Sequence, residues 1–238
     1  MKLGFIGTGK IASSVILGIC RSKIKFRQMI LSPRNKRIAN NLKKKFKKVS
    51  IAKNNQDVID KSNWIFLSVT PKVGDKIIKD LKFKSNQTII SFISTINLSE
   101  LKKMIKVKSR IIRAIPLPPI SNMKGPIPIY PKNKKIKNFF NKLGDCIEIS
   151  NEVSSLNFWA TSSLMATYYE LLFEVSKWLQ SKGLKKTSAQ KYVSSLFLAL
   201  SNQAVLNSDK DLSILIKKSQ TPKGLNEQTL RFLTKHNF

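Results

Sequence analysis

A glycine-rich segment near the first residue constrains this chain more than any other feature. Gly7, Gly9 and Ala12 form the pattern G-x-G-x-x-A. The hydrophobic pattern predicts a strand over residues 2–7 before it and a helix over residues 11–23 after it. In that context the first glycine permits a tight turn, the second lets the backbone approach a pyrophosphate, and the alanine keeps helix and strand close. The segment predicts a dinucleotide site, and the alternative is a glycine-rich turn without a ligand.

The end of the second predicted strand indicates which dinucleotide would bind. An NAD site normally has an acidic residue about 20 positions after the glycines, where it hydrogen-bonds the ribose. This chain has no Asp or Glu before Asp57, and its second strand ends at Ser32, Pro33 and Arg34. Because a hydroxyl and a guanidinium suit a 2′-phosphate, we expect NADP(H). The alternative is that Ser32 and Pro33 only form a turn and that Arg34 is a surface charge.

Two further strand ends are expected to line the cofactor. Ligands of doubly wound sheets bind at the carboxyl ends of the strands, and the strands ending near Val69 and Ile93 are followed by polar residues. We expect these ends to lie near the nicotinamide ribose, unless they are ordinary turns. The predicted cofactor-binding residues are Gly7, Thr8, Gly9, Lys10, Ile11, Ser32, Arg34, Val69, Thr70, Pro71, Lys72, Ser94 and Thr95.

Apolar strands alternate with helical patterns in the first half, which predicts an α/β class with a doubly wound parallel sheet. The strands are expected over residues 2–7, 29–32, 49–51, 64–69, 88–93, 109–114 and 146–149, and the helices over 11–23, 36–47, 73–81, 99–104 and 135–143. A proline cluster from Pro116 to Pro131 indicates a loop-rich segment. Helical patterns alone follow, over residues 157–182, 187–207, 209–218 and 227–235. We expect a Rossmann domain over residues 1–150 and an all-α domain over residues 151–238.

The charge of the chain is high but unevenly distributed. The net charge is +31, with 33 basic and 7 acidic residues in 1–150 against 11 and 6 in 151–238. Only seven of the basic residues are arginine, and no zinc-finger, RNP or helix-turn-helix pattern accompanies them. The joint excess of Lys, Ile and Asn is typical of an AT-rich coding sequence. We therefore expect no nucleic-acid partner, although the charge alone keeps that alternative open.

Other classes of protein are excluded by what the sequence lacks. Cys20 and Cys146 stand far apart, and no metal-ligand pattern occurs, so neither a disulfide scaffold nor a metal site is predicted. No apolar run is long enough for a membrane span, and the strand-like pattern from Met1 leads us to expect no signal peptide. We expect a cytoplasmic protein. His236 is the single histidine, which disfavours Ser-His-Asp and Cys-His catalysis. Hydride transfer to a C=N bond suits such a chain, because the cofactor carries the hard chemistry.

The order of four segments resembles the pyrroline-5-carboxylate reductase family. They are Gly4 to Ala12, Val69 to Lys72, Arg113 to Pro116 with its following prolines, and Thr221 to Gly224. The resemblance implies a Rossmann domain followed by a helical domain that forms an intertwined homodimer. It also implies NADP(H)-dependent reduction of the small molecule Δ1-pyrroline-5-carboxylate to proline.

The substrate side departs from the family pattern. The family's R-A-M-P-N-T-P is R-A-I-P-L-P-P here, its S-G-S-G-P-A is Thr161 to Ala166, and its S-P-G-G-x-T is Thr221 to Asn226. The resemblance implies catalytic roles for Thr221 and Asn226, the latter replacing a substrate-binding threonine. It implies substrate contacts by the residues Ser163, Gly224, Leu225 and Asn226.

These departures leave other functions open. The alternatives are a related oxidoreductase that acts on another imine or keto substrate and a protein that binds NADP(H) without turnover. A β-hydroxyacid dehydrogenase is disfavoured, because it needs a lysine early in the first long helix and the first one there is Lys177.

Overall fold

Strands with two buried faces build the first half of the chain. The computed structural model describes residues 1–236, and in that part eight strands pair into one sheet. They are β1 (Lys2–Ile6), β2 (Gln28–Leu31), β3 (Val49–Ile51), β4 (Trp64–Leu67), β5 (Thr88–Ser91), β6 (Arg110–Ala114), β7 (Pro126–Tyr130) and β8 (Asp145–Glu148). Their order is β3-β2-β1-β4-β5-β6-β7-β8, and β1 to β6 run parallel. The order of the first six is that of dinucleotide-binding sheets, so the predicted fold class is confirmed.

Helices cover both faces of the sheet. They are α1 (Lys10–Arg21), α2 (Lys36–Lys45), α3 (Asn55–Lys61), α4 (Pro71–Ile77), α5 (Leu98–Ile105) and α6 (Lys134–Phe140), with α7 (Val153–Ser162) after the last strand. Side chains alternate between the faces along each strand. Phe5 and Phe66 stack 4.4 Å apart in a core shared with Ile16 of α1, whereas Ile65 packs in a second core with Leu101 of α5. Apolar side chains therefore face both cores, and β4 is apolar at every position.

Two elements differ from the sequence prediction. Helix α3 was not predicted. Asn54 is its N-cap and accepts a hydrogen bond from the Asp57 N–H. Strand β7 lies inside the proline cluster that predicted loops. It runs antiparallel to β6 and parallel to β8, so the sheet is mixed. Proline lacks an N–H but keeps its carbonyl, and the Ile115 N–H donates to the Pro128 carbonyl at 3.0 Å.

The chain separates into two compact units, Met1–Ser163 and a second that begins at Leu164. This division comes later than the one expected after residue 150, because α7 belongs to the first unit. The single helix predicted over residues 157–182 is two helices, since α7 ends at Ser162 and the next helix begins at Leu164.

The second unit is entirely helical in its described part. It contains α8 (Leu164–Ser181), α9 (Lys186–Leu206), α10 (Ser213–Lys218) and α11 (Leu225–Lys235). The rings of Tyr168 in α8 and Phe197 in α9 pack edge to face. The fully buried apolar residues of the described part of this unit are Ala189 and Val193. Many large apolar side chains are more than half exposed, among them Tyr169, Phe173, Trp178, Tyr192, Leu198, Leu206 and Phe232. Across residues 1–236, no helix has the length and apolar character that a membrane crossing requires.

Candidate functional site

The turn between β1 and α1 depends on Gly7. Its φ is +95°, a conformation that other residues rarely adopt, and a Cβ there would lie 2.6 Å from the Ser68 carbonyl oxygen. Both the backbone conformation and the close contact therefore exclude a side chain. Two serines hold this glycine. Its N–H donates to Ser32 Oγ at 2.9 Å, and Ser68 Oγ donates to its carbonyl at 2.8 Å. The predicted role of Gly7 in the tight turn agrees with this geometry.

Ser32 has a different contact from the one expected. Its side chain is buried, and its oxygen accepts the Gly7 N–H from the neighbouring strand end. The hydroxyl oxygen therefore joins the ends of β2 and β1. The contact with a 2′-phosphate expected of Ser32 stays a prediction.

The strand ends of β1 and β4, where the order of the sheet reverses, surround a cavity of about 420 Å³. Its lining residues are Gly7, Thr8, Gly9, Arg34, Asn35, Lys36, Ser68, Val69, Thr70 and Val73. Six of these were predicted from the sequence. Lys10, Ile11, Ser32, Pro71 and Lys72 were also predicted, but they do not line this cavity.

Asn35 and Lys36 are cavity residues that the sequence reasoning missed. Asn35 caps α2 by accepting the Ile38 N–H at 3.3 Å, and Lys36 begins that helix. The signal was available, because an asparagine before a helical pattern is a common N-cap. Arg34 and Lys36 carry the positive charge of the lining, which contains no acidic residue.

Three features of the cavity suit a phosphate-bearing ligand. A Cβ on Gly9 would meet nothing within 4 Å, so that residue faces open space. Thr8 Oγ1 is buried and has no hydrogen-bond partner among the described residues. The first turn of α1 has no side-chain cap and no acidic residue. Free N–H groups at a helix N-terminus favour an anion, and the residues present therefore fit a dinucleotide.

Ser94 and Thr95 lie at a different cavity. It measures about 450 Å³, follows β5, and is lined also by Asn97, Arg113 and Glu152. Arg113 is 5% exposed at the end of β6, and its guanidinium NH1 lies 2.6 Å from Glu152 Oε1. In the sequence, Arg113 belongs to a motif for which no role was predicted. Arg113 lies between Ile112 and Ala114 near the carboxyl end of its strand, and a charge among apolar residues there is the signal that was missed.

The predicted substrate residues of the second unit lie in the turn from Thr221 to Gly224 and in the first turn of α11. Asn226 uses its side-chain amide to donate to the Ser219 carbonyl at 2.7 Å, so the amide N–H closes the loop. Lys223, where the family has glycine, has φ +61°, a conformation that favours glycine. Its N–H donates to Glu227 Oε2 at 2.6 Å. Thr221 accepts the Gly224 N–H through its carbonyl at 2.8 Å.

Ser163 ends the first unit, separate from that loop. Its hydroxyl donates to the Ala160 carbonyl at 2.6 Å, and the residue is the C-cap of α7. Leu225 begins α11 and is 80% exposed. The roles predicted for these two residues stay predictions.

The two thiols have environments that suppress their reactivity. Burial raises the pKa of Cys20 to about 11. Burial also raises the pKa of Cys146 to about 12, with a smaller contribution from the Glu148 charge. Since the thiolate is the nucleophile, neither cysteine is suited to nucleophilic catalysis at neutral pH.

Comparisons with known proteins also show similarity to oxidoreductases. Residues 2–96 match the family model described as NADP oxidoreductase, coenzyme F420-dependent. Pyrroline-5-carboxylate reductase 3 of Danio rerio is 30% identical over 129 residues, which are 52% of this chain and 44% of that protein. The chain therefore spans less than half the length of that relative. The pyrroline-5-carboxylate reductase of Staphylococcus haemolyticus is 21% identical over an alignment covering 100% of this chain and 91% of that protein.

A solved structure extends the likeness to the whole chain. The Plasmodium falciparum pyrroline carboxylate reductase with NADP bound superposes with a TM-score of 0.84, 20% identity, and coverage of 100% of this chain and 91% of that one. The sheet order and glycine turn define a protein of the dinucleotide-binding α/β class. The resemblance to the pyrroline-5-carboxylate reductase family is confirmed, by sequence over part of the chain and by fold over all of it.

Proposed function

We propose that this protein is an NADP(H)-dependent reductase of a cyclic imine, with Δ1-pyrroline-5-carboxylate as substrate and L-proline as product. The observation that carries the proposal is the acid-free cavity at the ends of β1 and β4, whose lining includes Arg34, Lys36 and the open Gly9. The matches to pyrroline-5-carboxylate reductases support the reaction class.

The first cavity would hold the phosphates of the cofactor. The Gly9 backbone and the first turn of α1 offer N–H donors to the pyrophosphate. Arg34 and Lys36 offer positive charge to the 2′-phosphate, and Arg34 can form two parallel hydrogen bonds with it. The Thr8 hydroxyl, which lacks a partner, supplies one further donor.

The chemistry needs little from the side chains. When bound, NADPH supplies a hydride, and the imine carbon accepts it while the imine nitrogen takes a proton. A protonated imine is already electrophilic, so the protein must chiefly orient the two reactants and hold the substrate carboxylate. We assign the substrate carboxylate to the segment from Thr221 to Asn226. In this assignment Asn226 orders the loop through its bond to Ser219.

We further propose that residues 1–150 bind the cofactor, and that residues 151–238 bind substrate and form a homodimer in the cytoplasm. Apolar side chains such as Trp178, Leu206 and Phe232 are more than half exposed in one chain. Large apolar side chains exposed in this way occur at protein–protein interfaces. A second copy of the chain is the partner we propose for it.

Following the absorbance of NADPH with and without Δ1-pyrroline-5-carboxylate tests the proposal. We expect oxidation of NADPH that depends on the imine, and a higher kcat/KM with NADPH than with NADH. Binding of NADPH without oxidation would overturn the reductase and favour a non-catalytic NADP(H)-binding protein. Oxidation with another imine or a keto acid alone would overturn the substrate.

A further inference from the structure

An ion pair between buried Arg113 and half-buried Glu152 lines the second cavity and contacts the segment after β5. Arg113 donates from NH2 to the Ser94 carbonyl at 2.6 Å, and from NH1 to Glu152 Oε1 at 2.6 Å and Ser155 Oγ at 3.2 Å. The guanidinium thus joins the end of β6, the segment after β5 and the start of α7.

Glu152 extends this contact to the other end of the same segment. Its Oε1 also accepts the N–H of Leu98, the first residue of α5, at 2.7 Å. The segment from Ser94 to Leu98 is therefore held at its first carbonyl by Arg113 and at its last N–H by Glu152. Ser94, Thr95 and the residues of the pair line one cavity.

The burial of these charges makes each residue of the pair dependent on the other. The side chain of Arg113 is 6% exposed and that of Glu152 is 26% exposed, so water screens the pair weakly. A buried guanidinium requires an anionic partner, and Glu152 is the acid paired with it among the described residues. The fixed fork of Arg113 and the shared carboxylate oxygen therefore hold both ends of the segment.

We propose that Arg113 and Glu152 are positioning residues that fix the Ser94–Leu98 segment, and through it the nicotinamide half of the bound cofactor. The proposal rests on the proposed function. The adenosine half would be held separately by Arg34 and Lys36 at the first cavity. Loss of the ion pair should therefore misplace the reacting half while the phosphate end still binds.

Glu152→Gln tests this division, and Glu148→Gln is the matched control. Glu148 also accepts a backbone N–H, from Asn133, and pairs with Lys137 at 3.1 Å with similar exposure, but it lies away from the segment. Two readouts are needed. One is the dissociation constant of 2′,5′-ADP, which reports the phosphate end, and the other is the fluorescence enhancement of bound NADPH, which reports the nicotinamide environment.

For Glu152→Gln we expect 2′,5′-ADP affinity within about twofold of the wild type. The fluorescence enhancement should be lost, and kcat should fall by about tenfold or more, because small misplacements of a reacting group are costly. Glu148→Gln should change neither readout. Arg113→Met should lose the fluorescence enhancement of bound NADPH, and Arg113→Lys, which keeps the positive charge, should retain part of it. Glu152→Asp, which keeps the charge, provides a milder variant and should give a smaller loss in the same direction if Glu152→Gln does not fold.

Equal effects of Glu152→Gln and Glu148→Gln, or loss of 2′,5′-ADP binding with Glu152→Gln, would overturn the positioning role. The proposed function fails in a distinguishable way. If the wild type binds NADPH but reduces no imine, the fluorescence comparison still decides the role of the pair. If the wild type binds neither NADPH nor 2′,5′-ADP, both proposals are overturned.

Discussion

Replacing Gly9 by alanine separates the cofactor site from the stability of the fold. Gly9 is the N-cap of α1 with φ −79° and ψ −168°, an extended conformation that alanine adopts freely. A Cβ at this position would meet nothing within 4 Å. The added methyl group therefore projects into the space where we place the pyrophosphate, and the protein without ligand should tolerate it.

The expected change in stability is small because two terms oppose each other. Alanine is a poorer N-cap than glycine by about 1 kcal/mol. It also reduces the freedom of the unfolded chain, which stabilises the fold by about 0.4–1 kcal/mol. The net free energy of unfolding should change by less than about 1 kcal/mol, which is about 2–4 °C in Tm.

The expected change in binding is larger. Crowding a close contact by one methyl group costs about 1–3 kcal/mol. The NADPH dissociation constant should accordingly rise by about fivefold to about 150-fold. Gly7→Ala is the informative comparison, because φ +95° and the 2.6 Å approach to the Ser68 carbonyl should lower its Tm by several degrees.

Thermal unfolding and fluorescence titration with NADPH measure both quantities on the same samples. Wild-type affinity for NADPH in a folded Gly9→Ala variant would refute the assignment of the pyrophosphate to this turn. A large loss of Tm in that variant would instead refute the inference that the position faces open space.

Three further outcomes are expected. Arg34→Ala should weaken NADPH binding by about tenfold to a hundredfold through lost charge-assisted hydrogen bonds and leave NADH binding nearly unchanged. Arg37→Ala, outside the cavity lining, should change the binding of neither cofactor. Equal losses of affinity for the two cofactors would contradict the 2′-phosphate assignment. Asn226→Ala should lower kcat without changing NADPH affinity, because it releases the bond to Ser219, and unchanged turnover in steady-state kinetics would remove this loop from the substrate site. Lys223→Gly should fold with a Tm equal to or above that of the wild type, since glycine relieves a φ of +61° that costs a lysine about 1 kcal/mol; a clear fall in Tm would show that the lysine side chain is needed.

The nucleotide-binding turn was predictable because its requirements are local. A tight turn, a helix N-terminus and a buried strand each leave a direct trace in the residue pattern, and Gly7 and Gly9 could be assigned from it. The role of Ser32 could not, because its partner is the N–H of Gly7 on a neighbouring strand. Sequence spacing does not reveal which atoms two strand ends bring together.

The remaining differences have similar causes. The prolines of β7 predicted a loop, because proline has no N–H to donate within a sheet. The strand forms nevertheless, because the Pro128 carbonyl accepts the Ile115 N–H and β7 also pairs with β8. The break after Ser162 has no glycine or proline to mark it. The contact between Arg113 and Glu152 joins residues far apart in sequence, so only the fold places them together.

The central claim is hydride transfer from NADPH to the carbon of a C=N bond. The most direct measurement uses NADPH carrying deuterium at the transferred position, Δ1-pyrroline-5-carboxylate, and mass spectrometry of the product. We expect proline that carries the deuterium on the former imine carbon. Unlabelled proline, or no proline from a protein that binds NADPH, would contradict it.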